Sequence, residues 1–351
     1  MSEVLAPQGQ KILIILLGAL GDVVRGLSVV NAIKAASPTS SISWLVEPAS
    51  AGIVALHKGI DDVIVFNRKE GARGVLQLMK DLRARTFDVT LDMQRHLKSG
   101  FFSWLSRSPR RIGFSPDDAK EWNWLFNTEY IEARGDAASK VDHYLSFVAK
   151  LGCSIPAVLD AGLSHITLSS LSKEWQERLP GRYAGVILGS SRYSKDWPEE
   201  GYRGLLERWS LQGVTQVVLL GDRSKEELAG RLAAGSSPVQ VVNAVGKTSL
   251  EELVGILHGA VVCVGPDSGP GHIAGALGVP HVTLFGPTPA GRNAPRGSED
   301  LSVVSALGCS PCRRRVCPGL DKLCLRLISP ELVMERLQTA LKMGSSRSFP
   351  R

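Results

Sequence analysis

No apolar run in this chain of 351 residues approaches the about 18 residues that a membrane-spanning helix needs. The opening Met1-Ser2-Glu3-Val4 also lacks the basic region and long apolar core of a signal peptide. A cytoplasmic chain is therefore expected, with its six cysteines reduced. Charge of one sign is not concentrated as it is in a binder of bare nucleic acid. The net charge is only +7, and the basic residues gather in two small clusters, Arg107/Arg110/Arg111 and Arg313-Arg314-Arg315. Each cluster can meet an acidic substrate or a membrane surface, or simply form a solvated face. Nucleic acid is not an expected partner. The dinucleotide fingerprint Gly-x-Gly-x-x-Gly is missing from the first glycine turn, and no Gly-Lys-Ser/Thr follows the glycines, which weakens both hydride transfer and ATP hydrolysis.

What is present is a globular composition, 44% hydrophobic against 21% charged, in a chain long enough for two domains. Apolar runs alternate with helical patterns. Lys11 to Leu17 reads as a buried strand, and Val23 to Ala36 as a helix with apolar residues at 23, 24, 27, 30 and 33 on one face. Further strands are expected at Ile42 to Val46, Val63 to Phe66 and Val89 to Met93, with a helix near Val75 to Arg85. Character shifts between Gly152 and Pro180, and the rhythm restarts at Tyr183. It continues with strands Ala184 to Leu188, Gln216 to Leu220, Val239 to Val242, Ala260 to Val264 and His281 to Phe285, and helices at Glu199 to Leu211, Lys225 to Ala233 and Leu250 to His258. The expected fold class is α/β: two doubly wound, Rossmann-like domains, 1–165 and 166–330, facing across a cleft. A final helix, Pro330 to Met343, is expected to pack back on the first domain. The polar tail after Gly344 reads as loose.

Two glycine turns join a strand to a helix, and in such sheets ligands sit beyond the carboxyl ends of the strands. Gly265-Pro266-Asp267-Ser268-Gly269-Pro270-Gly271-His272 precedes a helix expected from Ile273. Unpaired N–H groups and the positive helix end make this a site for an anion, phosphate above all. Asp267 is expected to cap the helix or bind a sugar hydroxyl, and His272 to donate to a phosphate or serve the structure. Gly18-Ala19-Leu20-Gly21-Asp22 is the second turn. Asp22 reads as a helix N-cap that can also take a proton from an attacking hydroxyl, with Gly18 and Gly21 leaving room for substrate. Ser190, Ser191 and Lys195 lie in a strand-end loop suited to phosphate, or to plain solvation with Trp197 as an anchor. Cys309, Cys312, Cys317 and Cys324 have the ligand count of a structural zinc site. Their spacing is not a common finger spacing, and a cluster of reduced thiols is the alternative.

These motifs, in this order, resemble the lipopolysaccharide heptosyltransferases of Gram-negative bacteria, glycosyltransferase family 9, with the GT-B fold. The residues that carry the resemblance are Ile12-Leu13-Ile14, Leu17 to Val24, Trp44 to Pro48, Lys195-Asp196-Trp197-Pro198-Glu199, Gly265 to Gly269 with His272, and Leu284 to Thr288. The ending Cys309-Ser310-Pro311-Cys312…Cys317-Pro318…Cys324 looks most like the heptosyltransferase II branch. The resemblance implies inverting, metal-independent transfer of heptose from ADP-heptose to the lipopolysaccharide inner core, with no cofactor and with peripheral contact at the inner face of the cytoplasmic membrane. It implies Asp22 as general base and Lys195, Ser190 and Ser191 as diphosphate ligands. Asp267, Ser268, Gly269 and His272 would line the donor site, and Asp222 would lie near the nucleoside. Arg107, Arg110 and Arg111 would attract acceptor phosphates. Departures from the family pattern occur at Leu17, Arg25, Gly26, Ser268 and Pro270. Another nucleotide sugar, a protein acceptor, or a non-catalytic nucleotide-sugar binder are the alternatives.

Overall fold

Apolar strands that are buried on both faces pair in parallel and need helices over each face. The computed structural model of the chain, which describes residues 8–346, meets that need twice, in two compact units, Met1–Leu163 and Ser164–Arg351. The first unit holds β1 (Lys11–Ile15), β2 (Ser41–Val46), β3 (Asp62–Val65), β4 (Val89–Asp92), β5 (Arg110–Gly113) and β6 (Glu129–Tyr130), in the spatial order β3-β2-β1-β4-β5-β6. The second holds β7 (Tyr183–Ile187), β8 (Gln216–Leu220), β9 (Gln240–Asn243), β10 (Val262–Pro266), β11 (His281–Phe285) and β12 (Val303–Val304), in the order β12-β11-β10-β7-β8-β9. All pairings are parallel. Counted within its own unit, each sheet has the doubly wound order 3-2-1-4-5-6. The order reverses between β1 and β4 in the first sheet and between β7 and β10 in the second, so those strand ends flank the crevice where ligands bind.

The first unit buries Leu13, Ile15, Leu45, Ile64, Leu78, Leu82 and Phe102 in one cluster. Its first helix, Leu20–Ala36, lies tight on the sheet at Gly26. A Cβ there would stand 2.7 Å from Leu16 Cδ2 and 3.2 Å from the Trp44 ring. The unusual glycine is thus a packing residue. In the second unit β7, β8, β10 and β11 pack their apolar side chains with Tyr202, Leu205, Leu206 and Leu325.

Several expectations shift. The first helix starts at Leu20, with Ala19 as N-cap, so Asp22 lies inside the first turn and is not the cap. β10 ends at Pro266 and the following helix, Gly269–Ala276, starts within the glycine turn itself, not at Ile273. Arg110 and Arg111, read as part of a surface cluster, open strand β5. The largest change concerns the final helix, Pro330–Ser346. It belongs to the second unit, where Val333, Met334, Leu337 and Ala340 join the core built on β7, β8, β10 and β11. Its buried apolar residues reach a sheet far away in the chain, which sequence spacing cannot reveal. Residues 347–351 of the tail expected to be loose lie outside the described residues. Among the described residues, no helix is long and apolar enough to cross a membrane.

Leu337 is fully buried in that core. Leu337→Ala is expected to cost about 2–5 kcal/mol, the usual range for a cavity-forming leucine truncation. Urea unfolding checks this, and a loss no larger than that of an exposed-site control would show that the helix is not part of the second core.

Candidate active site

In the second unit the site forms where the strand order reverses. The loop after β7 carries Ser190 to Lys195, and the turn after β10 carries Asp267 to His272. Lys195 crosses from one to the other. Its Nζ lies 2.8 Å from Asp267 Oδ2 and 3.0 Å from the Asp267 carbonyl oxygen. The second carboxylate oxygen, Oδ1, accepts from His272 Nε2 at 3.1 Å. Asp267 therefore does not cap the helix as expected. It bridges a lysine and a histidine, both largely buried. Ser268 is the N-cap, and its hydroxyl makes no capping bond. Ser268 Oγ, and Thr288 Oγ1 from the loop after β11, are buried with no hydrogen-bond partner among the described residues. Orphaned buried hydroxyls are uncommon and call for a ligand or water. Beside them the first turn of helix Gly269–Ala276 presents N–H groups that have no intrahelical partner. Pro270 subtracts one of those donors.

The loop after β7 is held from below by a residue that sequence reasoning passed over. Asp196 Oδ1 accepts from the Ser190 N–H at 2.7 Å, and its Oδ2 meets Lys225 Nζ at 2.6 Å. Gly189 has φ +75°, and a Cβ there would fall 2.3 Å from Lys225 Cε, so only glycine fits this turn. The Ser190 hydroxyl lies against Arg192 O and Asp196 Oδ1 and shapes the loop. Ser191 is exposed at its tip. Asp222, at the end of β8, is exposed and caps a short 3-10 turn by accepting from Ser224 N–H at 2.8 Å.

Under the glycine turn lies His281, fully buried, with Nδ1 2.6 Å from Thr283 Oγ1. A Cβ at Gly271 would come within 2.7 Å of its ring, so the glycine lets the helix start settle on the imidazole. Burial, reinforced by nearby His272, pushes His281 down to about 3, with Asp267 opposing.

In the first unit the reversal point places Asp22 beside the turn after β4. Asp22 Oδ1 receives Arg25 Nη1 at 2.6 Å and Lys140 Nζ at 2.7 Å. Two cations hold one oxygen, which fixes the carboxylate's direction. A Cβ at Gly18 would lie 3.5 Å from Asp22 Oδ2 and 3.8 Å from Gln94 Nε2, so Gly18 adjoins the carboxylate. Gly21, buried in the first turn of the helix, lies next to it in the chain. Across the reversal Gln94 Oε1 accepts from Leu17 N–H at 2.9 Å. Below them Asp92 is fully buried, with Oδ2 accepting from Asn123 at 2.7 Å. Burial pushes its carboxyl up to about 6, against the hydrogen bonds from Asn123, Ser99 and Asn127. Lys140, 118 residues from its partner, and Asp92 had no signal in the sequence.

The cluster Arg107, Arg110 and Arg111 does not join this site. It lies at the start of β5, whereas Gly18 and Asp22 follow the end of β1 in the same parallel sheet. The two positions are at opposite edges. Arg110 forms a two-pronged ion pair with Glu129 at 2.8 and 3.2 Å. Arg111 donates to Phe126 O and Ser108 O. Arg107 is exposed, with φ +59°. Two of the three are engaged by residues around their own strand.

Residues 75–322 match the model of glycosyltransferase family 9 (heptosyltransferase). The chain belongs to that family. Lipopolysaccharide heptosyltransferase 1 of Pseudomonas aeruginosa is 30% identical over 323 residues, covering 88% of this chain and 87% of that protein. The solved structure of the E. coli heptosyltransferase WaaC with ADP superposes with a TM-score of 0.75 at 25% identity, covering 94% and 99% of the two chains. The E. coli ADP-heptose lps heptosyltransferase II shares the fold, with a TM-score of 0.68 at 22% identity over 96% of this chain and 100% of that one. The fold class is GT-B, and the chain is a glycosyltransferase, a heptosyltransferase of lipopolysaccharide core biosynthesis.

A histidine lowered to about 3 stays neutral in the folded state while its unfolded counterpart protonates near 6.5. The His281 contribution to stability is present above about pH 6.5 and is lost as pH falls toward 3. The His281 ring resonances are expected not to titrate between pH 8 and 5. Titration inside that range would show that the imidazole beneath the helix start is hydrated.

Proposed function

We propose that this family 9 enzyme transfers heptose from ADP-heptose to a hydroxyl of the lipopolysaccharide inner core, with inversion and without a catalytic metal. The observation that carries the reading is Lys195, held across the reversal point of the second sheet next to a helix start and two unpartnered hydroxyls. That set of donors fits a diphosphate. A cation, backbone N–H groups and hydroxyls oppose the negative charge that grows on the leaving ADP, so they stabilise the transition state more than the ground state. In the absence of ligand Asp267 neutralises Lys195. On donor binding the ammonium turns part of its hydrogen bonding to phosphate oxygen, and Asp267 with His272 keeps the lysine stem in place. Asp222, which follows β8, is the acidic group assigned to the nucleoside end of the donor.

The acceptor hydroxyl attacks the anomeric carbon as the bond from that carbon to the phosphate oxygen breaks. The hydroxyl proton passes to Asp22, and ADP departs carrying the bonding pair. Inversion requires attack from the side opposite the leaving group. Arg25 and Lys140 hold Asp22 Oδ1 and so orient the carboxylate that takes the proton. The small residues there admit a sugar close to the backbone. The acceptor is an anionic lipid, which calls for peripheral contact with a membrane surface. Arg110 and Arg111 are engaged elsewhere, so acceptor phosphates need other cations of the first unit, of which Arg25 and Lys140 adjoin the base.

Asp22→Asn is expected to lower kcat by about 10²–10⁴-fold, the range for loss of a general base, with the ADP dissociation constant nearly unchanged. Single-turnover kinetics and calorimetric titration separate the two quantities. Full turnover in Asp22→Asn would end the assignment of the base. Lys195→Ala is expected to weaken ADP binding and also to lower kcat, because the lysine acts on both bound donor and departing product. ADP at about 100 times its dissociation constant should stabilise the folded chain by about 2.7 kcal/mol. Equal or greater shifts with UDP or GDP would redirect the reading to another nucleotide sugar.

A further inference from the structure

The longest stretch without a strand or helix in the second unit follows β12 and ends at the short helix Leu323–Arg326. A loop of this length inside a compact domain needs something to hold it. Its own apolar residues do little of this: Leu307 packs on the core at the start, but Val316 is 76% and Leu320 49% exposed. What the loop does have is four cysteines that line a single cavity. Cys309, Cys312, Cys317 and Cys324 surround a space of about 20 Å³, together with Gly286, Pro287, Leu307 and Leu323. That volume suits one water or one ion. Gly286, at the end of β11, makes the room. A Cβ there would stand 2.8 Å from Cys324 Sγ.

We propose that Cys309, Cys312, Cys317 and Cys324 form a structural site for one thiophilic metal ion, zinc or iron, that fastens this loop beneath the donor-binding segment. Four thiolates with no open position define a structural site, and soft sulfur donors select zinc or iron over magnesium or calcium. The thiols are free and do not yet stand in ligand geometry among the described residues. An ion draws them inward by rotation about single χ1 bonds, and each ligating thiol releases its proton to solvent. The charge is balanced locally. Four thiolates and a divalent ion leave two negative charges, and Arg313, Arg314, Arg315 and Lys322 lie on the same loop.

The loop reaches the site directly. Ser194 Oγ donates to Arg314 O at 3.1 Å, and Lys322 Nζ donates to Asp196 O at 3.3 Å. Lys322 also sits 3.6 Å from the centre of the Tyr193 ring. Residues 193, 194 and 196 are thus tied to the cysteine loop on either side of Lys195. A metal there sets the position of Lys195 without touching substrate. This consequence rests on the assignment of Lys195 to the donor, whereas the metal site itself does not.

The test is elemental analysis of the full chain, purified under reducing conditions from medium supplemented with zinc and iron. One ion of zinc or iron per chain is expected. Cobalt added to the metal-stripped chain should give the thiolate charge-transfer and visible bands of a tetrahedral tetrathiolate complex. The pair Cys312→Ser with Cys317→Ser should lose the ion, melt at lower temperature and bind ADP more weakly. Should that variant fail to fold, metal content and the cobalt spectrum of the wild-type chain still decide. Less than about 0.1 ion per chain with no cobalt bands, or cysteines paired as disulfides in the reduced preparation, would overturn the site. Metal content is read without a transferase assay. A metal-loaded chain that ignores ADP would sink the donor assignment alone.

Discussion

Lys195 and Asp267 meet where the strand order of the second sheet reverses. Strands β7 and β10 are neighbours there, but their following segments lead away in opposite directions, so nothing in the backbone closes the gap between them. A side chain must. A lysine does it with a charge that is 15% exposed, and its partner is more buried still. Removing either group strands the other in a poorly solvated place, which is costly. The pair therefore holds the crevice together when empty and supplies a cation when an anion arrives. Asp196, Lys225 and His272 all act to keep these two residues where they are.

The first sheet solves the same geometric problem with the charges exchanged. There the carboxylate, Asp22, is the group turned to the crevice, and the cations Arg25 and Lys140 stand behind it. One doubly wound scaffold thus presents a carboxylate backed by cations in one unit and a lysine backed by a carboxylate in the other. This fits a transfer reaction in which a proton is taken at one place and negative charge is released at another. Family membership fixes the class of reaction. The side chains at the two reversal points explain how such a scaffold can perform it.

Much of the architecture was legible because parallel strands buried on both faces must be nearly all apolar. Gln216–Leu220 and His281–Phe285 coincide with the runs read from sequence, and the doubly wound rhythm follows from their spacing. The strands that escaped notice are short or open on charge: β5 begins with two arginines, β6 has two residues, and β12 has two. β6 and β12 are edge strands paired to one neighbour and β5 lies next to an edge, so a long apolar run is not needed to hold them extended. The glycine turns were legible as well, because a tight approach of helix to strand leaves no room for a Cβ, as at Gly271 over His281.

Local patterning by itself determined the two βα repeats, their glycine turns, and the candidate residues Asp22, Lys195 and Asp267. Each depends on neighbours a few positions away. Tertiary structure alone decided what those residues touch. It turned Asp267 from a helix cap into a bridge between Lys195 and His272, brought Lys140 to Asp22, and moved Arg110 to the far edge of its sheet. It also laid the last helix on the second unit. The reason is physical: strand order and helix packing join segments a hundred residues apart, and the energy of a charge depends on the partners and solvent that this joining leaves around it.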